Sequence, residues 1–340
     1  MTPIRTRGVG QVRMEDVARR AGVSKVTVSR TLHDAQKVTE RTRRRVLQAI
    51  SAAGYVKNLV AGSLSSNRTN VIAAIVPTLT NAAYGMSVHA MAEVLRQNGF
   101  HLLLGTVAFS PAEEESLIAT FLGRRPDAMY LHACRHTQAA SRLLRNAGIP
   151  IVEAGDLIRH PIDMVVSYSN FEAAKSATVY LLSKGYRRIA FVSAFKREND
   201  RHANRWRGYR AALRENRIPY DPVLVVEEPF GFHFGNEALL TILNRAPDVQ
   251  AVLFASDLWA VGALLECSRR GWPVPGKIAI VGFGDQEIAK ELVPPLTTVR
   301  LPFEEVGRIA GQKLLDRLQG NSVKPRIVDL GFKIIERGSA

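Results

Sequence analysis

The stretch MEDVARRAGVSKVTVSRTLHDAQKVTERTRRRVLQAI, residues 14–50, decides the fold of the amino-terminal part of the chain. Its central ten residues, AGVSKVTVSR at 21–30, combine a glycine and three valines with hydroxyl and basic side chains. β-Branched residues lose side-chain freedom in a helix, and a helix that serves only for packing rarely contains so many of them. This composition therefore indicates a short helix whose exposed face makes specific contacts.

A glycine and a serine mark the boundary between two predicted helices. Gly22 follows an apolar helical pattern at the position where a helix ends in a left-handed turn. Two residues later, Ser24 is placed to cap a second helix. In that helix Val28 and Leu32 have the spacing of an inward-facing pair. The outer face then carries Lys25, Val26, Ser29 and Arg30.

A third helix is predicted behind the first two. Thr39 is placed to cap it, with Thr42 where a full capping box has glutamate, and Gly54 ends it. Its predicted apolar stripe consists of Val46, Leu47 and Ile50. Two short helices joined by a glycine turn, with a third helix behind, form a helix-turn-helix. In that motif the second helix enters the DNA major groove, where arginine reaches guanine and a valine or threonine methyl group contacts thymine.

The positive charge of the chain is concentrated at the same end. Residues 1–68 contain 14 lysines and arginines and four acidic residues, a net charge of +10, whereas the other 272 residues have a net charge of +5. A polyanion such as DNA is the natural partner of such a segment. A basic tail that only confers solubility is the alternative, but this segment is patterned rather than of low complexity.

The overall composition excludes several other classes of protein. Of the 340 residues, 46% are apolar and 23% are charged, which is typical of a soluble globular protein of two or three domains. No apolar run reaches the ~18 residues of a membrane span, and no signal peptide is recognisable. We therefore expect a cytoplasmic, nucleoid-associated protein without membrane contact. The two cysteines, Cys134 and Cys267, make no metal-binding spacing.

From residue 71 onward, short apolar runs alternate with amphipathic helical stretches. The runs predicted as strands are VIAAIV, FHLLLGT, AMYLHA, PIVEAG, DMVVSY, RIAFVSA, PVLVVEE, VQAVLFAS and KIAIVGFG. This alternation indicates a parallel α/β architecture, and its restart near Asn170 indicates two doubly wound subdomains. The predicted domains are a helix-turn-helix at 1–57, a hinge at 58–69 and a core at 70–340. In the core, the first subdomain comprises about 70–168 and 300–328, and the second about 169–298 and 329–340.

The carboxyl ends of the predicted strands indicate where the ligand site lies, because open parallel sheets bind ligands in the crevice at that edge. The segments that follow the first, sixth, eighth and ninth strands are PTLTNAAYG, SAFKREND, ASDLWA and GFGDQE. We expect a ligand between the two subdomains, in contact with these loops.

The helical segment identifies a family once it is taken as a whole. MEDVARRAGVSKVTVSRTL and VTERTRRRVLQAISAAGYVKN resemble the LacI/GalR family of bacterial transcription regulators. The resemblance continues through GFGDQEIAKELVPPLTTVRLPFEEVG, residues 282–307, and so covers nearly the whole chain. Within the family, SNFEAA and VDLGFKIIERGS look closest to repressors of gluconate and related sugar-acid operons. The resemblance implies a periplasmic-binding-protein-like core that holds a small effector.

The resemblance also implies how the chain contacts DNA. In this family the segment NLVAGSLSSNRTN, residues 58–70, is a hinge that becomes helical in the minor groove, and Leu64 falls where relatives insert a leucine wedge. A flexible linker is the alternative. One short helix reads too few bases alone, so we expect a homodimer on double-stranded operator DNA, with a tetramer as the alternative. The predicted DNA contacts are Ser24, Lys25, Val26, Thr27, Ser29, Arg30, Lys37, Thr39, Tyr55, Asn58, Ala61 and Leu64.

The effector site is predicted mainly from family motifs. The motif Arg-x-x-Gly-aromatic appears as RWRGY, and its first arginine, here Arg205, points into the cleft of relatives and binds effector oxygens. A planar guanidinium suits a carboxylate or a vicinal diol. Phe230 falls where relatives place an aromatic ring against the ligand, with core packing as its alternative role. The predicted effector contacts are Asn81, Tyr84, Lys196, Arg197, Arg205, Phe230, Ser256, Asp257 and Asp285.

Two departures from the family pattern bear on the ligand. This chain has Gly284 where many relatives have aspartate, and Ser169-Asn170 where many have Asp-Asn. The loss of two carboxylates while Arg205 is kept favours an anionic ligand. A sugar acid such as gluconate or 2-ketogluconate fits this expectation, and a neutral sugar, a phosphosugar or a purine is the alternative.

An enzyme with an added DNA-binding domain is the remaining alternative. The sequence contains no Gly-x-Gly-x-x-Gly opening a helix, no Walker loop, no Gly-x-Ser-x-Gly and no His-Glu-x-x-His. The eight histidines show no ligand spacing, and five of them are expected at the surface or in the core: His132, His136, His160, His202 and His233. A secreted sugar-binding protein would not need the basic segment. We therefore expect a DNA-binding regulator gated by a small molecule, without cofactor or metal.

Overall fold

The computed structural model describes residues 12–56, 68–195 and 199–340. The chain divides into two compact units, Met1–Thr69 and Asn70–Ala340. In its described part the first unit is helical, and the second contains two β-sheets with helices packed against them. The predicted fold class, a helix-turn-helix followed by a two-sheet α/β core, is confirmed.

The described part of the amino-terminal unit is built from three α-helices. They are α1 (Met14–Ala21), α2 (Lys25–His33) and α3 (Glu40–Ala53), with a short 3-10 turn at Ala35–Lys37. The buried side chains between them are small or β-branched: Val17, Ala18, Ala21, Val28, Val46 and Ala49. Because this core is small, the exact chemistry of the helix ends contributes substantially to the stability of the unit.

The helix ends follow the expectations from sequence. Gly22 ends α1 with φ of 60°, and Gly54 ends α3 with φ of 63°, the left-handed conformation that glycine adopts without strain. The Ser24 hydroxyl accepts a hydrogen bond from the Thr27 amide at 3.2 Å, and the Thr39 hydroxyl accepts one from the Thr42 amide at 3.4 Å. Both predicted amino-terminal caps are therefore present.

The apolar stripe predicted for α3 is wrong at one residue, Leu47. Leu47 is 44% exposed, whereas Val46 and Ala49 are buried and Ile50 packs against them. Positions 46, 49 and 50 lie on one face of a helix because they are three and four residues apart. Leu47 lies one residue beyond this face, and alanine, rather than leucine, completes the inner stripe.

The second unit contains twelve strands in its described part, and each of the nine predicted runs contains one. Their bounds are β1 (Val71–Val76), β2 (His101–Thr106), β3 (Ala128–Leu131), β4 (Ile151–Glu153), β5 (Met164–Ser167), β6 (Ile189–Ser193), β7 (Val225–Glu227), β8 (Ala251–Phe254), β9 (Ala279–Gly284), β10 (Thr297–Arg300), β11 (Ile327–Asp329) and β12 (Lys333–Ile335). The helices are α4 (Ala82–Gln97), α5 (Pro111–Gly123), α6 (Gln138–Asn146), α7 (Asn170–Ser183), α8 (Asp200–Glu215), α9 (Phe232–Arg245), α10 (Asp257–Arg269) and α11 (Phe303–Leu318).

The strands form two six-stranded sheets, each of which defines a lobe. The first lobe contains the sheet β11-β5-β4-β3-β1-β2, and the second contains the sheet β12-β10-β9-β8-β6-β7. The described pairings are parallel except that between β10 and β12. Strands such as β1 and β9 are apolar along nearly their whole length because helices cover both faces of a parallel sheet.

The chain passes between the lobes more than once. After β10, in the second lobe, α11 returns to the first lobe and packs against α4. A Cβ atom on Gly307 would lie 1.9 Å from the Ser87 carbonyl oxygen, so only glycine allows these two helices to approach so closely. β11 then completes the first sheet and β12 the second.

The described helices are too short or too polar to cross a membrane.

Candidate functional site

The exposed face of α2 carries the residues that were predicted to read DNA. Ser24, Lys25, Val26 and Arg30 are exposed, and Thr27 and Ser29 are half-buried. Val26 is 57% exposed, which leaves a β-branched apolar side chain open to solvent on a short helix. Such a methyl-rich surface beside hydroxyl and basic groups is chemically suited to the edges of bases in a major groove.

The turn that orients α2 is held by an arginine from α3. Arg45 donates a hydrogen bond through Nη2 to the Ala21 carbonyl oxygen at 2.6 Å. A Cβ atom on Gly22 would lie 2.8 Å from the same nitrogen, so the glycine also makes room for this contact. Lys25 forms an ion pair with Glu15 of α1 at 2.5 Å, which links the first two helices on the exposed side. Sequence reasoning did not distinguish this structural role of Arg45 from the other basic residues of α3.

The other predicted DNA contacts in the described part of this unit lie at its helix ends. Thr39 caps α3, Lys37 forms an ion pair with Asp34 at 2.7 Å, and Tyr55 packs against the small core. Asn58, Ala61 and Leu64 lie outside the described residues.

A cavity lies between the two lobes at the carboxyl ends of their strands. Its volume is about 30 Å³, and it is lined by residues of both lobes: Asn81, Ala83, Tyr84, His132, Tyr168, Arg201, His202, Arg205, Phe230, Ser256, Phe283, Gly284, Gln286 and Phe303. Five of the predicted effector contacts are among them: Asn81, Tyr84, Arg205, Phe230 and Ser256. The loops nominated from strands one, eight and nine all reach this cavity, which agrees with the rule for open parallel sheets.

Arg205 is held firmly in the wall of the cavity. It is 8% exposed, and it donates from Nε to Asn170 Oδ1 at 2.8 Å and from Nη1 to the Ala255 carbonyl oxygen at 2.5 Å. Its guanidinium carbon lies 4.0 Å from the centre of the Phe283 ring. Burial lowers the pKa of Arg205, because the site offers little solvent to its charge. These contacts fix the plane of the guanidinium group before a ligand binds.

A second arginine, Arg201, lies one helical turn earlier on α8 and lines the same cavity. It is 6% exposed, and its Nη1 donates to the His132 carbonyl oxygen at 2.7 Å. The guanidinium carbon lies 5.9 Å from the centre of the Tyr84 ring and 5.5 Å from that of the Phe109 ring. Sequence reasoning missed Arg201, although its spacing of four residues from Arg205 places both on one helix face.

Two of the histidines that were expected at the surface or in the core lie in the wall of the cavity. His132 and His202 are buried and line the cavity. Burial lowers the pKa of both well below the ordinary value, and the nearby charges of Arg201 and Arg205 lower it further. His202 Nδ1 accepts a hydrogen bond from the Ala194 amide at 3.3 Å, so the neutral ring carries its proton on Nε2.

Phe230, in the wall of the cavity, is stacked against aromatic rings from both lobes. The Phe230 ring is stacked on the Trp259 ring, with centroids 4.8 Å apart, and on the Phe109 ring at 5.6 Å. Phe109 follows β2 of the first lobe, whereas Phe230 follows β7 of the second. Phe230 thus lines the cavity and also packs against these two rings, a position that agrees with both alternatives considered from sequence.

Two predicted carboxylates bind protein groups instead of lining this cavity. Asp257 is buried and accepts hydrogen bonds from the Thr298 hydroxyl at 2.6 Å and the Gln286 amide at 2.7 Å. Burial raises its pKa to about 6. Asp285 pairs with Arg300 at 2.5 Å and with Arg337 at 2.8 Å. Both side chains thus shape the loop after β9, which carries Gln286 to the cavity. Lys196 and Arg197 lie outside the described residues.

The electrostatic character of the cavity follows from these placements. Its fourteen described lining residues include two arginines and two neutral histidines, and none of them carries a carboxylate. Guanidinium groups in a nearly dry site bind a carboxylate more strongly than they do in water, because there is little solvent to compete. The arrangement can hold a small anion and surround its carbon atoms with aromatic rings.

Comparison with known proteins agrees with both halves of this description. Residues 13–58 match the model of bacterial regulatory proteins of the lacI family, and residues 178–340 match that of the periplasmic binding protein-like domain. An HTH-type transcriptional regulator GntR from Pseudomonas aeruginosa is 36% identical over 336 residues, which cover 98% of this chain and 97% of the relative.

Solved structures extend the comparison to three dimensions. A LacI family transcriptional regulator from Silicibacter pomeroyi has a TM-score of 0.91 and 30% identity, over 96% of this chain and 99% of that one. The lac repressor dimer, bound to operator and the anti-inducer ONPF, has a TM-score of 0.82 and 25% identity, over 96% of this chain and 98% of that one. The chain therefore belongs to the lacI family of bacterial regulatory proteins, as a transcription regulator rather than an enzyme.

Proposed function

We propose that the chain is a repressor that binds operator DNA as a dimer and responds to a small sugar acid in the cavity between its lobes. Gluconate and 2-ketogluconate are the acids that the resemblance of the sequence favours. The observation that carries the proposal is the cavity wall, in which Arg201 and Arg205 are buried and the described lining residues include no carboxylate. The similarity to a regulator named GntR, and the sugar-acid resemblance of the sequence, support the same class of ligand.

The proposed ligand contacts follow the placement of each side chain. Arg205 and Arg201 bind the carboxylate, and Asn81, Ser256 and His202 bind hydroxyl groups. Phe230 and Tyr84 cover the carbon chain. Asp257 and Asp285 act only by positioning the loop after β9, because their oxygens already bind protein groups.

The small size of the cavity couples ligand binding to DNA binding in this proposal. About 30 Å³ corresponds to roughly two or three water molecules, so a six-carbon acid is accommodated only when the lobes change their separation. A ligand that favours one lobe arrangement shifts the population of dimers that are competent to bind DNA. The sign of this effect, induction or corepression, follows from the arrangement that binds the operator.

The proposed DNA contacts are those predicted from sequence. Lys25, Val26, Thr27, Ser29 and Arg30 contact bases, and Ser24, Lys37, Thr39 and Tyr55 contact the backbone. The hinge residues Asn58, Ala61 and Leu64 contact the minor groove. We also retain the predicted domain boundaries, which the membership of β11 in the first sheet and β12 in the second supports. We place the protein in the cytoplasm with the nucleoid.

Isothermal titration of the purified full-length protein tests the ligand class. The panel consists of gluconate, 2-ketogluconate, glucose, gluconate 6-phosphate, a hexose phosphate and hypoxanthine. We expect heat of binding with one or both simple acids and none with glucose or hypoxanthine. Binding of the neutral sugar or the purine, without binding of the acids, would refute the proposed ligand class and leave the family assignment intact.

A further inference from the structure

An open groove on the surface of the second lobe combines arginines with apolar side chains. Its volume is about 480 Å³, and it is lined by the second half of α8, the start of α7 and the segment that follows α8. The three arginines that line it, Arg207, Arg210 and Arg214, are all exposed, so the groove is open to solvent. None of the functions assigned above uses this groove.

The three arginines form one row along α8. They are three and four residues apart, which places them on one face of the helix over a length of about 10 Å. The opposite face of α8 carries Arg201 and Arg205, which are buried and line the effector cavity. A molecule that binds to the row therefore does not compete with the effector for the same side chains.

The positive charge of this row is not neutralised by carboxylates in the described part of the chain. Within that part, none of the three arginines forms a salt bridge, and Arg207 donates instead to the amide oxygen of Asn204 at 2.7 Å. The neighbouring carboxylate of Glu215 is bound to Lys175 at 2.8 Å. Glu172, at the start of α7, is exposed, but one carboxylate leaves three guanidinium groups with an excess of positive charge.

Arg210, in the middle of the row, is held by two aromatic rings. Its guanidinium carbon lies 4.7 Å from the centre of the Trp206 ring and 4.7 Å from that of the Tyr220 ring. The two rings meet edge to face, with centroids 6.2 Å apart. Because stacking already restrains this long side chain, less conformational entropy is lost when its N–H groups bind an anion.

The apolar side of the groove indicates which kind of anion it fits. Tyr220 is 36% exposed, and Phe171 and Ile218 are half-buried and line the same groove. The sugar-phosphate backbone of DNA would make little use of these side chains. Arginine and aromatic residues, without carboxylates among the described lining residues, are instead typical of the centre of a protein–protein interface.

We propose that this groove is a docking site for an acidic segment of another protein, in which carboxylates alternate with apolar side chains. The carboxylates pair with the arginine row, and the apolar side chains lie against Tyr220 and Phe171. A second copy of this chain is a poor partner, because the 272 residues that follow the basic segment have a net charge of +5. An open groove also suits a crossing segment of chain better than a small molecule, whose site buries most of its surface.

Fluorescence anisotropy with a defined acidic peptide tests the proposal. The probe is a short fluorescein-labelled peptide in which pairs of glutamates alternate with single leucines. Full-length protein is titrated into it at near-physiological salt, with an excess of unlabelled random-sequence duplex DNA to occupy the basic amino-terminal segment. We expect the parent to bind this peptide. It should bind more weakly to the same peptide with glutamine for every glutamate, or with serine for every leucine.

Substitutions at the end of the row locate the binding site. Arg214→Gln should lower the affinity for the acidic peptide roughly three- to fivefold, as loss of one exposed ion pair does, and Arg214→Glu should lower it further. Because Arg214 is exposed, neither change should disturb the fold. The matched controls are Arg245→Gln and Arg245→Glu, which make the same charge changes at an exposed residue of the same lobe, at the end of α9 and outside the groove.

Several outcomes would overturn the docking site. It is wrong if the folded parent does not bind the acidic peptide, if the glutamine peptide binds equally well, or if the Arg214 and Arg245 variants lose affinity alike. If the Arg214 variants weaken binding of labelled duplex DNA and leave peptide binding unchanged, the row contacts DNA instead. Each of these results leaves the proposed response to a sugar acid intact, because the groove lies outside the effector cavity.

Discussion

Asn170 Oδ1 accepts a hydrogen bond from Arg205 Nε at 2.8 Å, so the first residue of α7 orients the arginine of the effector cavity. Asn170 Nδ2 donates in turn to the Gly155 carbonyl oxygen at 2.7 Å, which fixes the amide in this orientation. A neutral amide positions the guanidinium group without cancelling its charge. The charge of Arg205 is therefore left for the ligand.

Removal of the guanidinium group should abolish most effector binding. Arg205→Ala loses a charge-assisted contact, and we expect affinity for the sugar acid to fall by roughly 1.5–3 kcal/mol, about ten- to a hundredfold or more. If the acid is an inducer, the variant stays on the operator when the acid is added. If it is a corepressor, the variant fails to bind the operator. Titration and an operator gel-shift assay measure both effects.

The matched control for that variant lies on the same helix. Arg207 is exposed and donates to Asn204 Oδ1 at 2.7 Å, and it does not line the effector cavity. Arg207→Ala should bind both acid and operator like the parent. Normal effector response in folded Arg205→Ala would remove Arg205 from the site and direct attention to Arg201.

A carboxylate introduced beside Arg205 should select against acids. Asn170→Asp places a negative charge against the guanidinium group, so we expect affinity for the sugar acid to fall roughly tenfold. Titration of the parent and of the variant with the acid gives the ratio of the two affinities. An unchanged affinity for the acid would mean that its carboxylate binds elsewhere.

The face of α2 and the surface of α3 should respond differently to mutation. Arg30→Ala should change the preference among operator sequences, since Arg30 is proposed to reach a base edge. Arg44→Ala should weaken binding to all sequences alike and reduce the slope of log affinity against log salt by about one, as loss of a phosphate contact does. Fluorescence titrations with a set of single-base operator variants, at several salt concentrations, separate the two. Equal loss on every sequence for both variants would contradict the assignment of Arg30.

The glycine of the RWRGY motif should be required for helix packing rather than for ligand binding. A Cβ atom on Gly208 would lie 2.2 Å from the Phe171 carbonyl oxygen, where backbone cannot move aside. Gly208→Ala should therefore reduce the free energy of unfolding by roughly 1–3 kcal/mol or more through overpacking. Gly123→Ala is the control, because nothing lies within 4 Å of its Cβ position. Urea unfolding of both variants tests this, and equal stability of the two would contradict the close packing of α7 and α8.

Stability should fall in alkaline solution because of His136. Its folded pKa of about 9 lies above the ordinary value of 6.5. The protonated His136 therefore contributes fully to the free energy of unfolding below pH 6.5. This contribution, roughly 3 kcal/mol, is lost as the pH rises through 9. Urea unfolding between pH 6 and 9.5 should show this slope in the parent and in His233→Gln, where His233 is exposed. His136→Gln should be less stable at pH 7 and lack the slope; a parent-like slope in that variant would exclude His136 as its source.

The sequence alone determined the features that depend on neighbours along the chain. Gly22, Ser24 and Thr39 act through backbone groups within three or four residues, so their roles as helix ends could be predicted and are confirmed. The strands of the core could be predicted for a similar reason, because apolar runs bounded by turns need no partner to be recognised. Arg205 could be predicted as a candidate effector contact because it is the first residue of the motif RWRGY.

Only the tertiary structure decided which distant groups meet in the cleft. Arg201 and His132 come from different lobes, and no local pattern signals that they share a wall. Asp257 and Asp285 lie in two of the loops that the sequence predicts at the ligand site, yet Thr298 and Arg300 of β10 engage their oxygens. A side chain's availability depends on every group packed around it, and those groups are brought together by the folding of two sheets rather than by spacing along the chain.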